Sequence, residues 1–162
     1  MRQFRIKIVE HSHELEKILE LRSAVFIDEQ SVPEEEEIDS LDSLAAILSS
    51  RVIHFIAYKG EVVVGTARLF LPSATDIRTV NAELIHIGRV AVKASERRSG
   101  LGSLLMNKCH DIARELGHKQ ITLSAQVQAI PFYRGLGYKE KGPIYLDAGI
   151  QHRDMDISLD TY

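Results

Sequence analysis

Apolar and polar positions along the chain change period several times, and each change marks an element. Phe4, Ile6 and Ile8 alternate with Arg5 and Lys7, which predicts a first strand. From Ser12 the spacing becomes helical: Leu15, Ile18, Leu19, Val25 and Phe26 share one face, with Ser12 as a cap and Arg22 on or beside that face. Val32-Pro33 bars continuation, because a residue before proline avoids the α region. Leu41–Ser50 reads as a short helix, Arg51–Tyr58 and Glu61–Leu71 as strands joined by a turn at Lys59-Gly60, and Pro72 to Asn81 as a polar connection.

Ala82–Val92 is the next predicted strand. It runs into a short basic turn, Arg97-Arg98-Ser99-Gly100-Leu101-Gly102. Leu101, Leu104, Leu105, Ile112, Ala113 and Leu116 then recur at helical steps up to Gly117, a predicted C-terminal stop. Gln120–Ala125 is a further buried strand, a short helix begins near Ala129, and Tyr138–Leu146 and His152–Leu159 close the chain as strands. The order β-α-(α)-β-β-β-α-β-α-β-β predicts one α/β domain over 1–162, with a three-layer build around a mixed sheet flanked by helices.

The strand–turn–helix unit at Ile87–Gly102 carries the chemistry. The first turn of a helix has unpaired N–H groups and the positive end of the dipole. Gly100 and Gly102 let a ligand approach the backbone, and Arg97 and Arg98 add charge. Such a turn can cradle a pyrophosphate. It is no Walker A loop, since no G-x-x-x-x-G-K-[ST] occurs. Nor is it a dinucleotide fingerprint, because Leu105 stands where the third glycine belongs.

The 162 residues, 44% hydrophobic, suffice for one domain with its own core. A net charge of −3 with no basic run argues against nucleic acid. No apolar stretch is long enough to span a bilayer, so the expectation is a cytoplasmic protein without membrane contact. The seven histidines form no metal-ligand grouping, so no metal is expected. Cys109 stands alone on an apolar helix face, which suits packing and a reducing compartment. The run Glu34–Glu37 with Asp39 and Asp42 is either a solvated acidic loop or an attraction site for a cationic amine.

The pattern R/Q-x-x-G-x-G/A at Arg97, Gly100 and Gly102, after the strand VAV, resembles the coenzyme A loop of the GNAT superfamily of acyl-CoA-dependent N-acyltransferases. Ala129, Phe132, Tyr133, Gly137 and Tyr138 match that family's second motif, while Gln126 stands where an asparagine is common. RSAVFIDEQSVPEEEEID and LDAGIQHRDM are similar to the bacterial ElaA/YjcF-type subgroup.

The resemblance implies the GNAT fold, acetyl-CoA as cosubstrate and an amine as acceptor. The fourth and fifth strands would splay apart, with the pantetheine arm against Val90, Ala91 and Val92. An N–H there would polarise the thioester carbonyl, worth about 3 kcal/mol. The diphosphate would sit on N–H groups from Arg98 to Ser103 (Arg98, Ser99, Gly100, Leu101, Gly102, Ser103), with Arg97, Gln126, Phe132 and Tyr133 completing the coenzyme site. Tyr133 would protonate the leaving thiolate. Glu29, Glu37 and Asp39 are candidate bases, beside Glu36 and Glu83. Arg89 and His152 are candidate acceptor contacts, although Arg89, inside an apolar strand, could instead pair with the acidic run.

Two other readings stay open. Arg22, Phe26, Glu37, Asp39 and Asp42 are spaced as in acyl-homoserine-lactone synthases, but the tryptophan usual between those motifs is missing. A GNAT-like module could also bind acyl-CoA as a sensor or assemble with a partner, and the sequence leaves a homodimer open.

Overall fold

Seven strands form one sheet in the computed structural model, which describes residues 3–70 and 85–159. The strands are β1 (Arg5–Ile8), β2 (Val52–Lys59), β3 (Val62–Phe70), β4 (Ile85–Val92), β5 (Gln120–Gln126), β6 (Lys139–Asp147) and β7 (Ile150–Ser158). Their spatial order is β1-β2-β3-β4-β5-β7-β6, so the last strand inserts between β5 and β6. β4 and β5 are parallel; every other neighbouring pair is antiparallel. The predicted strand start at Ala82 and the candidate Glu83 lie outside the described residues.

Strand alternation divides the core between two helical layers. Along β2, Phe55 and Ala57 face a cluster that holds Leu101, Leu105, Met106, Cys109 and Ala113. Ile56 and Tyr58 face the other side, against Leu15 and Ile18. These helices are α1 (Ser12–Arg22) and α4 (Leu101–Glu115). A Cβ built at Gly65 would lie 2.9 Å from Leu105 Cδ1, so glycine lets α4 sit close on the sheet. Gly117, at φ +86°, ends α4 with its N–H on Arg114 O and that of His118 on Ala113 O.

The cap of α1 differs from the expectation. Ser12 is its first residue, and the Glu14 carboxylate reaches back to the N–H groups of Glu10 and His11 at 3.0 and 3.2 Å. The chain continues past α1 as a π-helical turn, Ser23–Glu29, and stops short of Pro33. The acidic run is α2 (Glu34–Glu37), a single turn started by that proline. The predicted helix over Leu41–Ser50 is shorter, α3 (Leu44–Leu48), and the short late helix is α5 (Ile130–Gly135).

Candidate active site

Pairing between β4 and β5 runs only through Ile85↔Ile121, His86↔Thr122 and Ile87↔Leu123. Beyond it each strand keeps its outer partner: Val92 stays opposite Gly65 on β3, and Gln126 opposite His152 on β7. The sheet therefore forks, as expected. A break in β4 sharpens the parting. Arg89 has φ +49°, and the β3–β4 register shifts between Thr66 and Arg68, which is a bulge that bends the strand.

The fork opens into a cavity of about 450 Å³. Gly88, Arg89 and Val90 form one wall, and Ser124 and Gln126 the other. Tyr133 enters from α5, Glu36 and Glu37 from α2, and His152 from the β6–β7 hairpin. Ser124 was not singled out from the sequence; a serine inside the apolar strand QITLSA was the available signal.

Beside the fork, the loop into α4 takes the shape its glycines allow. Gly100 has φ +88°, and Arg98, at φ +65°, shares the left-handed region. Ser99 Oγ caps the turn by donating to Glu96 O, and the N–H of Leu101 lies 3.4 Å from that oxygen. The N–H groups of Gly102 and Ser103 have no partner among the described residues. Leu101 is 1% exposed, its side chain packed into the core. A Cβ at Gly102 would stand 3.2 Å from Phe132 Cζ; α5 thus packs against the start of α4 through the missing side chain.

The two arginines of the turn differ. Arg98 is exposed with no ion-pair partner among the described residues. Arg97 is engaged: its Nε–H donates to Val92 O at 3.1 Å, and its guanidinium grips Glu29 at 2.7 and 2.9 Å. The bonds from Arg97 hold Glu29 below its ordinary pKa, and Glu29 does not line the cavity.

Tyr133 packs edge-on between Phe132 and Tyr138, with ring centroids 5.0 and 5.9 Å away. Burial pushes its hydroxyl up to about 12, so it is protonated at neutral pH and can donate. Behind it, Tyr138 bonds His110 Nε2 at 2.7 Å. Gln126 spans the fork: its Nε2 donates to Gln30 Oε1 at 2.7 Å, and its Oε1 accepts from Gln128. His152 has Nδ1 2.7 Å from Ile150 O, and its ring stacks on Tyr145.

The acidic run divides: Glu34, Glu35 and Glu36 face water, while Glu37, Asp39 and Asp42 are bound by arginines. Arg22, 0% exposed, donates to both Glu37 oxygens at 2.9 and 3.0 Å and to both Asp42 oxygens at 2.6 and 3.0 Å. Arg68 grips Asp39 at 2.6 and 2.7 Å and reaches Asp42 at 3.1 Å. Arg89 joins through Glu37 O and the Glu37 carboxylate, 3.2 Å away, which is the pairing with the acidic run. Three arginines balance three carboxylates. Burial works to raise the Asp39 pKa, but Arg68 outweighs it and leaves Asp39 at about 2. A carboxylate so committed is a poor base. Glu34, Glu35 and Glu36 do face water, and only Glu36 of these lines the cavity.

Among the described residues no group of histidine, cysteine and carboxylate side chains could hold a metal, and no helix is long and apolar enough to cross a membrane. Cys109 is 0% exposed on the α4 face, a packing residue.

Comparison with known proteins gives the same outline. A family model described as an acetyltransferase (GNAT) domain matches residues 23–159. The Bacillus subtilis protein named "Uncharacterized N-acetyltransferase YjcF" is 33% identical over 151 residues, covering 91% of this chain and 95% of its own. Protein ElaA of Escherichia coli is 32% identical over 143 residues, covering 88% of this chain and 86% of its own. The ElaA crystal structure superposes with a TM-score of 0.78 at 26% identity, covering 94% of this chain and 98% of that one. The Salmonella typhimurium structure of yncA with its cofactor acetyl-CoA shares the fold, at a TM-score of 0.76 and 18% identity over 99% of this chain and 96% of that one. A forked sheet, a glycine-turned helix start beside it and a matching domain model over most of the chain lead to one conclusion: this protein belongs to the GNAT acetyltransferase family, whose members bind acyl-CoA.

Proposed function

We propose that the protein transfers the acetyl group of acetyl-CoA to a primary amine of a small molecule or peptide, directly, within a ternary complex. The observation that carries this is the parting of β4 and β5 after Ile87 and Leu123, together with the start of α4, whose Gly102 packs on Phe132 next to Tyr133 of the cavity and whose first N–H groups have no partner among the described residues. An extended pantetheine arm can pair with the main chain of Val90 to Val92, whose edge toward β5 has lost its strand partner. The diphosphate would lie on the Gly100–Ser103 turn, near Arg98, which has no ion-pair partner among the described residues. Tyr133 in the same cavity would donate to the sulfur as the C–S bond breaks. Direct transfer is favoured because the one cysteine is buried away from the cavity and its thiol is held protonated by burial. The Ser124 hydroxyl is bonded to Tyr145.

Calorimetric titration with acetyl-CoA tests the coenzyme half, and absence of heat at millimolar ligand refutes it. Release of free thiol against a panel of amino sugars, diamines, amino alcohols and lysine peptides tests the transfer. Tyr133→Phe should retain coenzyme binding and lose about 100-fold in kcat, the lower end for a lost general acid. Tight binding with no turnover on any amine would make the protein an acyl-CoA sensor instead.

A further inference from the structure

We propose that His152 is the base that takes the proton from the attacking amine, held for that task by Tyr145, a positioning residue. The inference rests on the acyltransferase reading above.

An alkylamine, with a pKa near ~10, is protonated at neutral pH and cannot attack a thioester until it gives up a proton. The receiving group must line the cavity and keep an open lone pair. Glu37 lines it but is bound by Arg22 and Arg89, Asp39 is bound by Arg68, and Glu29 is bound by Arg97 outside the cavity wall. Each of the three accepts guanidinium protons on both of its oxygens, which makes it a poor base.

His152 meets both conditions. Its Nδ1 lies 2.7 Å from Ile150 O. A carbonyl oxygen has no proton to give, so Nδ1 must carry the hydrogen, and in the neutral ring Nε2 then holds the lone pair. The same backbone contact selects the tautomer without adding a charge. The ring is fixed as well as oriented. It stacks on Tyr145, with centroids 6.1 Å apart and planes 21° from parallel. The Tyr145 hydroxyl is pinned by Ser124 Oγ on β5 and by Asp154 Oδ1 on β7, at 2.6 Å from the latter. The register sets the ring at the fork: His152 lies opposite Gln126, three residues past the last β4–β5 pair. Arg89, Glu36, Glu37 and Asp147 are the charged groups that share the cavity, with Tyr133 as its other titratable wall, and Asp154 stands behind Tyr145.

The step balances. The bound ammonium gives one proton to Nε2 of His152, and the free amine then bonds the thioester carbon. The C–S bond breaks, the departing thiolate takes the Tyr133 proton, and the second proton on nitrogen passes through solvent to the phenolate. The products are the amide, free coenzyme A and one proton, which the imidazolium returns to solvent.

Two primary amines of different basicity separate a base from a mere contact. Ethylamine is protonated at neutral pH, whereas 2,2,2-trifluoroethylamine is largely free base. With acetyl-CoA and thiol release as the readout, His152→Gln should lose at least about 100-fold in kcat/KM with ethylamine, in kcat rather than KM. It should lose far less with the fluorinated amine, and acetyl-CoA binding should not change. Equal losses on both amines, or a loss confined to KM, would overturn the proposal, as would the same selective pattern in Glu36→Gln in place of His152→Gln. Tyr145→Phe should give a weaker form of the His152→Gln pattern. A nitrogen-15 spectrum of the wild-type histidines needs no acceptor and decides the matter if a variant fails to fold. Hydrogen on Nδ1 of His152 supports the assignment, and hydrogen on Nε2 sinks it. Should wild type release no thiol with any amine of the wider panel, the acyltransferase reading itself falls; should only the His152 pattern fail, that reading stands.

Discussion

Asp42→Ala probes the buried charge network at its centre. Asp42 has a side chain that is 0% exposed and accepts from Arg22 twice, from Arg68 once and from the Asp39 N–H at 2.9 Å. Removing it leaves three arginines facing two carboxylates, with Arg22 still 0% exposed. Breaking a buried ion pair by deleting one partner costs about 3–5 kcal/mol, because the surviving charge stays out of water. The lower end applies here, since Arg22 keeps both Glu37 oxygens and Arg68 keeps Asp39. About 3 kcal/mol, at roughly 2–4 °C per kcal/mol for a domain of this size, predicts a Tm lower by roughly 6–12 °C. Urea unfolding followed by circular dichroism gives the free energy, and calorimetry the Tm. The double variant Arg22→Met/Asp42→Ala should be less destabilised than the sum of its parts, since the orphaned charge is gone. A loss under about 1 kcal/mol for Asp42→Ala, or strict additivity in the pair, refutes the account of this network as balanced and mutually dependent.

Acid should attack the same network. Asp39 and Asp42 both have folded pKa values below the ordinary ~3.9, so their stabilisation is present above that value and lost as pH falls below it, for Asp39 through about 2. Urea midpoints should be level from pH 7 to 5 and drop steeply between about pH 4 and 2; a flat profile there contradicts the pairing. Gly100→Ala forces a side chain into φ +88°, with open space around it, so backbone strain alone acts. If about 1–2 kcal/mol of strain is relieved by moving the turn, acetyl-CoA affinity should fall by roughly 5–30-fold in a calorimetric titration. An unchanged affinity would mean the turn does not hold the coenzyme. Cys109 should be silent toward a thiol reagent in the native state and react only after unfolding, which a stopped-flow absorbance trace can read.

Much of the fold follows from local patterns. The period of two in β1 and the period near four in α4 are each set by which residues must face a core, so both stand in the sequence. The turn before α4 was equally readable from its two glycines; the left-handed φ at Gly100 is what the structure adds. The candidate chemistry of the acidic run was not. Strand and helix assignments say nothing of what lies across from Glu37, Asp39 and Asp42; Arg22, Arg68 and Arg89 come from α1, β3 and β4. Their pairing turns an apparent cation trap into a brace. The same limit hid the contacts of His152: its place opposite Gln126 and on Tyr145 depends on β7 lying between β5 and β6.

What the amino-acid order determined alone was the succession of elements, the glycine-bearing start of α4, and the tyrosine after it. Those depend on spacing and on backbone freedom within a few residues. Only tertiary structure decided where β4 leaves β5, which carboxylates are neutralised and which ring nitrogen of His152 meets a backbone carbonyl. Charge pairing and strand insertion join residues tens of positions apart, and their energies depend on distance and burial that no local pattern encodes.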